Sequence, residues 1–122
     1  MAASDVYKRQ LLNIAVEATE NKKAEDVISL NMQGISDMTD YFVVCHGNNE
    51  RQVQSIARAV KEAVHEQGID VKRMEGYNDA RWVLIDLANV VVHIFHKDER
   101  NYYNIEKLYQ DAPYESYGQV AY

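Results

Sequence analysis

The sequence predicts an α/β fold in one domain, a mixed five-stranded sheet with three main helices in the order α-β-β-α-β-β-β-α. Three observations carry that prediction. The stretch from Arg81 to His96, RWVLIDLANVVVHIFH, is too short for a membrane span and too β-branched for a surface helix, so it reads as two strands folded back at Ala88-Asn89. In the first strand Val83, Ile85 and Leu87 alternate with Trp82, Leu84 and Asp86; in the second Val91, His93 and Phe95 alternate with Val90, Val92, Ile94 and His96. Both faces are apolar and need cover. The second observation is a well-defined amphipathic helix after Asn49, and the third is that hairpin-length connections sit beside this helical crossover, which makes the sheet mixed.

In chain order, a helix is predicted from Asp5 to about Thr19. Leu11, Leu12, Ala15, Val16 and Thr19 form its inward stripe, Glu17 and Glu20 point outward, and Asn21-Lys22-Lys23 ends it. A half-buried strand follows from Glu25 to Met32, with Ile28, Leu30 and Met32 inward and Ser29 and Asn31 toward water. Gly34 and the run from Ser36 to Asp40 make a loop. Tyr41 to Cys45 is then a short apolar strand, expected near the sheet centre. His46-Gly47-Asn48-Asn49 breaks it, and Asn48 or Asn49 caps a helix with the stripe Val53, Ile56, Ala57, Val60 and Val64, stopped at Gly68. Ile69 to Glu75 reads as a further strand and Gly76 to Asp79 as the turn into the central pair. Lys97 starts a third helix carrying Tyr102, Tyr103 and Ile105, with Leu108 and Tyr109 packing just beyond and Pro113 marking its latest end. The core of the 1–122 domain thus spans about residues 5–113, and residues 114–122 are expected to form a poorly ordered, tyrosine-dotted tail.

The chain of 122 residues is 47% hydrophobic and 26% charged, the balance of a globular domain and not of a disordered one. Its net charge of -6, from 19 acidic and 13 basic residues, disfavours a nucleic-acid backbone and favours a basic protein partner. Cys45 is the sole cysteine, which excludes an internal disulfide and a cysteine zinc site and makes a reducing, cytoplasmic setting the expectation. No basic-then-apolar leader and no 18-residue apolar run occurs, so no membrane association is expected.

Several residue patterns invite a chemical reading, and each has a plainer one. His93 and His96 resemble a metal pair, but a three-residue offset on a strand sends them to opposite faces, and no acidic cluster accompanies them; no metal or cofactor is predicted. Cys45 beside His46 suggests an activated thiolate, yet neighbours on a strand also diverge, and a lone cysteine in YFVVC is ordinarily a small core hydrophobe. CHGNNERQ could offer backbone N–H groups to an anion, but it has one glycine and lacks the P-loop lysine, which leaves a capping turn. Asp86 in an apolar strand needs a partner: Arg81, Arg73 or a backbone group. If both long helices cover one sheet face, the other is under-covered, and Trp82 and Leu84 remain as an apolar patch of the kind that binds proteins.

Three segments match a known pattern: DYFVVCHGNNERQVQSIA at Asp40 to Ala57, EGYNDARWVLIDLANVVVHIFHKDERNYYNIEKLY at Glu75 to Tyr109, and Asp111-Ala112-Pro113. Over roughly residues 10–113 the chain resembles the Iojap family of ribosomal silencing factors in its bacterial form. The resemblance implies a non-enzymatic translational repressor that docks on the large ribosomal subunit through the uL-fourteen ribosomal protein. There it blocks joining of the small subunit when nutrients are scarce. It also implies a fold like that of nucleotidyltransferases, but those enzymes pair carboxylates on a strand to hold magnesium over a triphosphate. No Asp-x-Asp pair follows His46-Gly47-Asn48-Asn49-Glu50-Arg51. The competing function is a degenerate or unrecognised nucleotide-binding enzyme of nucleotidyltransferase-like fold. For the leading one, the expected protein-binding residues are Trp82, Leu84 and Asp86, extended by Glu75 and Tyr77: an apolar anchor ringed by carboxylates that suits a basic ribosomal protein. A weak homodimer that closes the same face when the ribosome is absent is a further expectation.

Overall fold

The computed structural model describes residues 2–117. Its elements are α1 (Ala2–Asn21), β1 (Glu25–Asn31), β2 (Tyr41–Gly47), α2 (Glu50–Glu66), β3 (Arg73–Glu75), β4 (Trp82–Asp86), β5 (Val90–His96), α3 (Lys97–Tyr103), α4 (Ile105–Leu108) and β6 (Tyr114–Ser116). They build one six-stranded sheet in the order β3-β4-β5-β2-β1-β6. β2 and β5 run parallel at its centre and every other pairing is antiparallel, so the predicted mixed sheet is present with one strand more than expected.

Apolar periodicity explains the main layer. Leu11, Leu12, Ala15 and Val16 of α1 and Val53, Ile56, Ala57, Val60 and Val64 of α2 bury against Val43, Cys45, Val83, Ile85, Val92 and Ile94 of the sheet. Thr19 stays within this core because its hydroxyl donates to the Val16 carbonyl at 2.6 Å. Gly68, with φ +75°, ends the α2 region as the sequence suggests, its N–H reaching the His65 carbonyl at 2.9 Å. The β4–β5 hairpin turns at Ala88, which takes φ 73° while its N–H is accepted by the Asp86 carboxylate at 2.8 Å.

Four expectations are corrected. The strand predicted from Ile69 pairs only over Arg73–Glu75, since its partner β4 ends at Asp86 and the hairpin turn leaves Ile69 to Val71 nothing to pair with. The third helix divides, because Asn104 adopts the left-handed conformation (φ 48°, ψ 55°) and restarts the chain as α4. Ile105 is buried, Leu108 is 71% exposed instead of packed, and the side chains of Tyr102 and Tyr103 lie outside the described residues. The supposed loose tail from Tyr114 contributes β6, antiparallel to β1, while residues 118–122 lie outside the described residues. Ser29 does not face water: its hydroxyl is 2.8 Å from the Tyr117 hydroxyl, and only 5% of the residue is exposed.

Candidate functional site

The second face of the sheet is covered unequally. Ile105 and Ala112 close over Leu30, Met32, Val44 and Phe95, so the α3–α4 segment shields the β1–β2 half. Trp82 and Phe42 pack against that cluster at its edge, whereas Leu84, Asp86 and Glu75 of the β3–β4 half lie outside it. Register defines what that half presents, because directly paired residues share a face. Glu75 lies beside Leu84, which lies beside His93; Arg73 lies beside Asp86, then Val91, then Phe42; Trp82 lies beside Phe95. Trp82, Leu84, Asp86, Val91 and Phe42 are all half-buried, while Glu75 and Arg73 are exposed at the sheet edge.

The aromatic groups at this surface are ordered by one another. Trp82 stacks on Phe95 with centroids 5.2 Å apart and planes 29° from parallel. Its indole Nε1–H donates to Nδ1 of His93 at 3.1 Å. Phe42 meets His93 edge to face at 4.6 Å and Tyr109 at 5.5 Å. Burial pushes the His93 pKa down to about 4, so the ring is neutral. Since Nδ1 accepts, the proton sits on Nε2, which is buried and has no hydrogen-bond partner among the described residues.

Asp86 finds both of its predicted kinds of partner: Ala88 N–H at 2.8 Å and Arg73 Nε at 3.7 Å. Arg73 also pairs with Glu75 at 3.1 Å. Arg81 turns away, binding Glu50 at 3.3 Å and Glu99 at 3.2 Å. Four of the five residues singled out in the sequence, Glu75, Trp82, Leu84 and Asp86, therefore come together on one face. Tyr77 does not join them. It packs against the main core, and its hydroxyl takes a hydrogen bond from Arg58 of α2, on the other side of the sheet. Between the two lies Gly76 at φ +81°, where a Cβ would sit 2.1 Å from the Trp82 carbonyl oxygen, so the turn presses directly on the β4 backbone. Sequence reasoning missed Phe42, Val91 and His93, which reach this face from β2 and β5. The alternation along each strand is visible in the sequence, but the register that makes them neighbours is not.

The other candidate positions have structural occupations. Cys45 is fully buried, and desolvation raises its thiol pKa to about 12. His46 points to the opposite face, where its Nδ1 accepts from Arg100 at 3.0 Å; burial first, then that guanidinium, lower its pKa. Arg100, only 6% exposed, also holds Glu106 through Nε and Nη2, each at 3.0 Å, and the Glu25 carbonyl at 3.3 Å, tying α3 and α4 to β1. His96 lies on the face opposite His93 and caps α3 by accepting from Asp98 N–H at 3.1 Å. At the start of α2 the donors are engaged internally: Asn49 accepts from Gln52 N–H at 2.8 Å, and Gln52 in turn accepts from Asn48 N–H at 2.8 Å. No cluster of three His, Cys, Asp or Glu side chains fit for a metal occurs among the described residues. No described helix is long and apolar enough to cross a membrane.

The model of a family described as "Ribosomal silencing factor during starvation" matches residues 6–121. "Ribosomal silencing factor RsfS" of Halalkalibacterium halodurans is 62% identical over 105 residues, covering 86% of this chain and 90% of the relative. The protein of that name from Bacillus subtilis is 58% identical over 106 residues, covering 87% and 90%. A crystal structure of a Bacillus halodurans protein superposes with a TM-score of 0.76 at 62% identity, over 82% of this chain and 93% of the other. The maize "Protein Iojap, chloroplastic" is 27% identical over 96 residues, 79% of this chain and 42% of the maize protein.

Proposed function

Because this chain belongs to the ribosomal silencing factor family, with Iojap proteins among its relatives, we propose that it represses translation by docking on the large ribosomal subunit and blocking the small one from joining. The docking partner in this reading is the uL-fourteen ribosomal protein, and nutrient limitation is the condition under which repression matters.

One observation carries the reading: on the half of the sheet face beyond the α3–α4 cluster among the described residues, Leu84 and Val91, with Trp82 and Phe42 at the cluster's edge, form an apolar centre edged by Asp86 and Glu75. A ribosomal protein surface is basic because it sits against RNA, so an apolar anchor with acidic neighbours and a net charge of -6 complements it. Arg73 tempers this charge at the sheet edge, and its pairs with Glu75 and Asp86 are exposed enough to rearrange at little cost. The action is that of a bound obstacle, with no catalytic step. The internal capping at Asn48 and Asn49 supports that view over a nucleotide enzyme, since the helix start already has its acceptors. When free, the chain is read as cytoplasmic and able to close the same apolar face against a second copy.

Sucrose-gradient sedimentation of purified ribosomal subunits tests this directly. The protein should travel with the large subunit and lower the yield of joined particles. Failure to co-sediment, or joining at the normal yield with the protein bound, would refute it. Calorimetric titration with ATP and magnesium addresses the enzyme alternative, for which a binding signal lost on changing Asn48 or Asn49 is the required result.

A further inference from the structure

An aromatic anchor contributes most to docking when it is already held in its bound pose, since ordering it on contact costs affinity. The stack of Trp82 on Phe95 does not by itself hold that pose, because stacked rings slide and turn over one another at low cost. The hydrogen bond to His93 adds a direction that stacking lacks: it sets the indole edge 3.1 Å from a ring that is itself buried. His93 is 4% exposed, runs within 10° of parallel to Phe95, and is wedged edge to face by Phe42 at 4.6 Å.

We propose that His93 is a positioning residue for docking, its Nδ1 lone pair latching the Trp82 indole in the orientation that the protein partner meets. This rests on the docking reading above. The second observation behind it is the buried Nε2–H of the same ring, which has no hydrogen-bond partner among the described residues. A buried donor without a partner destabilises a fold, and Phe or Leu would fill this position without burying one. What a histidine supplies there and those residues lack is a flat ring with an acceptor turned toward Trp82. Burial keeps the ring neutral at ordinary pH, so the lone pair is always present.

Trp82 is the sole tryptophan of the chain, so its emission reports on the latch without a label. His93→Phe keeps a flat ring and removes the acceptor, whereas His93→Asn places an amide oxygen about where Nδ1 lies. His93→Phe should shift Trp82 emission to the red, raise its quenching by acrylamide and speed dissociation from purified large subunits about fivefold, with far-ultraviolet dichroism unchanged. His93→Asn should keep the native emission and an off-rate within about twofold of the native one. Unchanged emission and quenching in His93→Phe would overturn the proposal, as would altered emission with unaltered dissociation. Should His93→Phe not fold, solvent exchange of the indole Nε1–H in the native chain decides the matter: slow exchange is the expected result and exchange within the dead time the contrary one. Unaltered binding by a folded Trp82→Ala protein would instead sink the docking reading itself, while the emission and exchange results would still report on the bond to His93.

Discussion

His93 makes the protein acid-sensitive in a calculable direction. Its folded pKa is depressed to about 4 from an ordinary 6.5, so the unfolded chain binds a proton below pH 6.5 that the folded chain refuses. Stability is therefore lost as pH falls from about 6.5 to about 4 and is unaffected by this group above that window. The full shift corresponds to about 3 kcal/mol, an upper figure. His46, shifted in the same direction by burial and Arg100, adds to the trend. Urea unfolding at pH 7 and pH 4.5 should show a smaller loss of stability in His93→Asn than in the native chain; equal losses would contradict the assignment. Cys45 makes the opposite kind of prediction, because its fully buried thiol with a pKa of about 12 offers no thiolate. Native protein should resist alkylation at pH 8 until it unfolds. Cys45→Ser should lower stability by about 1 to 3 kcal/mol while leaving ribosome binding intact. Loss of binding in a folded Cys45→Ser protein would show that the thiol has a role at the surface.

Among the elements, β6 changes an expectation about the chain end. Residues 114–117 show no apolar periodicity, yet Tyr117 N–H bonds the Val27 carbonyl at 2.9 Å and its hydroxyl lies 2.8 Å from that of Ser29. Truncation after Pro113 should lower the thermal midpoint by more than about 5 °C, the equivalent of roughly 1 kcal/mol for a domain this size. A midpoint that barely moves would mean β6 adds nothing. The strand was illegible for a physical reason: it is wholly exposed, and what holds it is backbone pairing to β1 plus one tyrosine, neither of which imposes a pattern on sequence. The stripe of α2 was legible residue by residue, since a helix buried on one side must repeat its apolar positions. The break at Asn104 had a cue, an asparagine suited to the left-handed region, but the same residue also sits in helices without breaking them.

At the scale of the whole molecule, two helices cover one face while, among the described residues, the short α3–α4 segment covers only part of the other, and this asymmetry was readable from the shortage of helices in the sequence. Trp82, Leu84 and Asp86 were placed on that second face by strand alternation, and Glu75, added as an extension from the preceding turn, joins them through its pairing with Leu84. Tyr77 was not placed, because it lies in the turn, where alternation does not apply. Apolar and acidic contributions to docking should separate. Trp82→Ala should weaken large-subunit binding by at least about 2 kcal/mol, chiefly through faster dissociation, whereas Glu75→Gln should slow association and flatten its salt dependence. Unaltered affinity in folded Trp82→Ala would move the search to the helices. The parallel joint between β2 and β5 also dictates how the chain reaches this shape. β1–β2 and β4–β5 are local hairpins that form early, but neither buries its apolar residues until Tyr41 finds Val90 across the whole of α2, β3 and β4. Closing that long loop is the step expected to limit folding, so a cavity at the joint, Val43→Ala or Val92→Ala, should slow refolding in a chevron measurement. Loss of β6 should act mainly by hastening unfolding, and the reverse pattern would mean that the sheet grows inward from its edges.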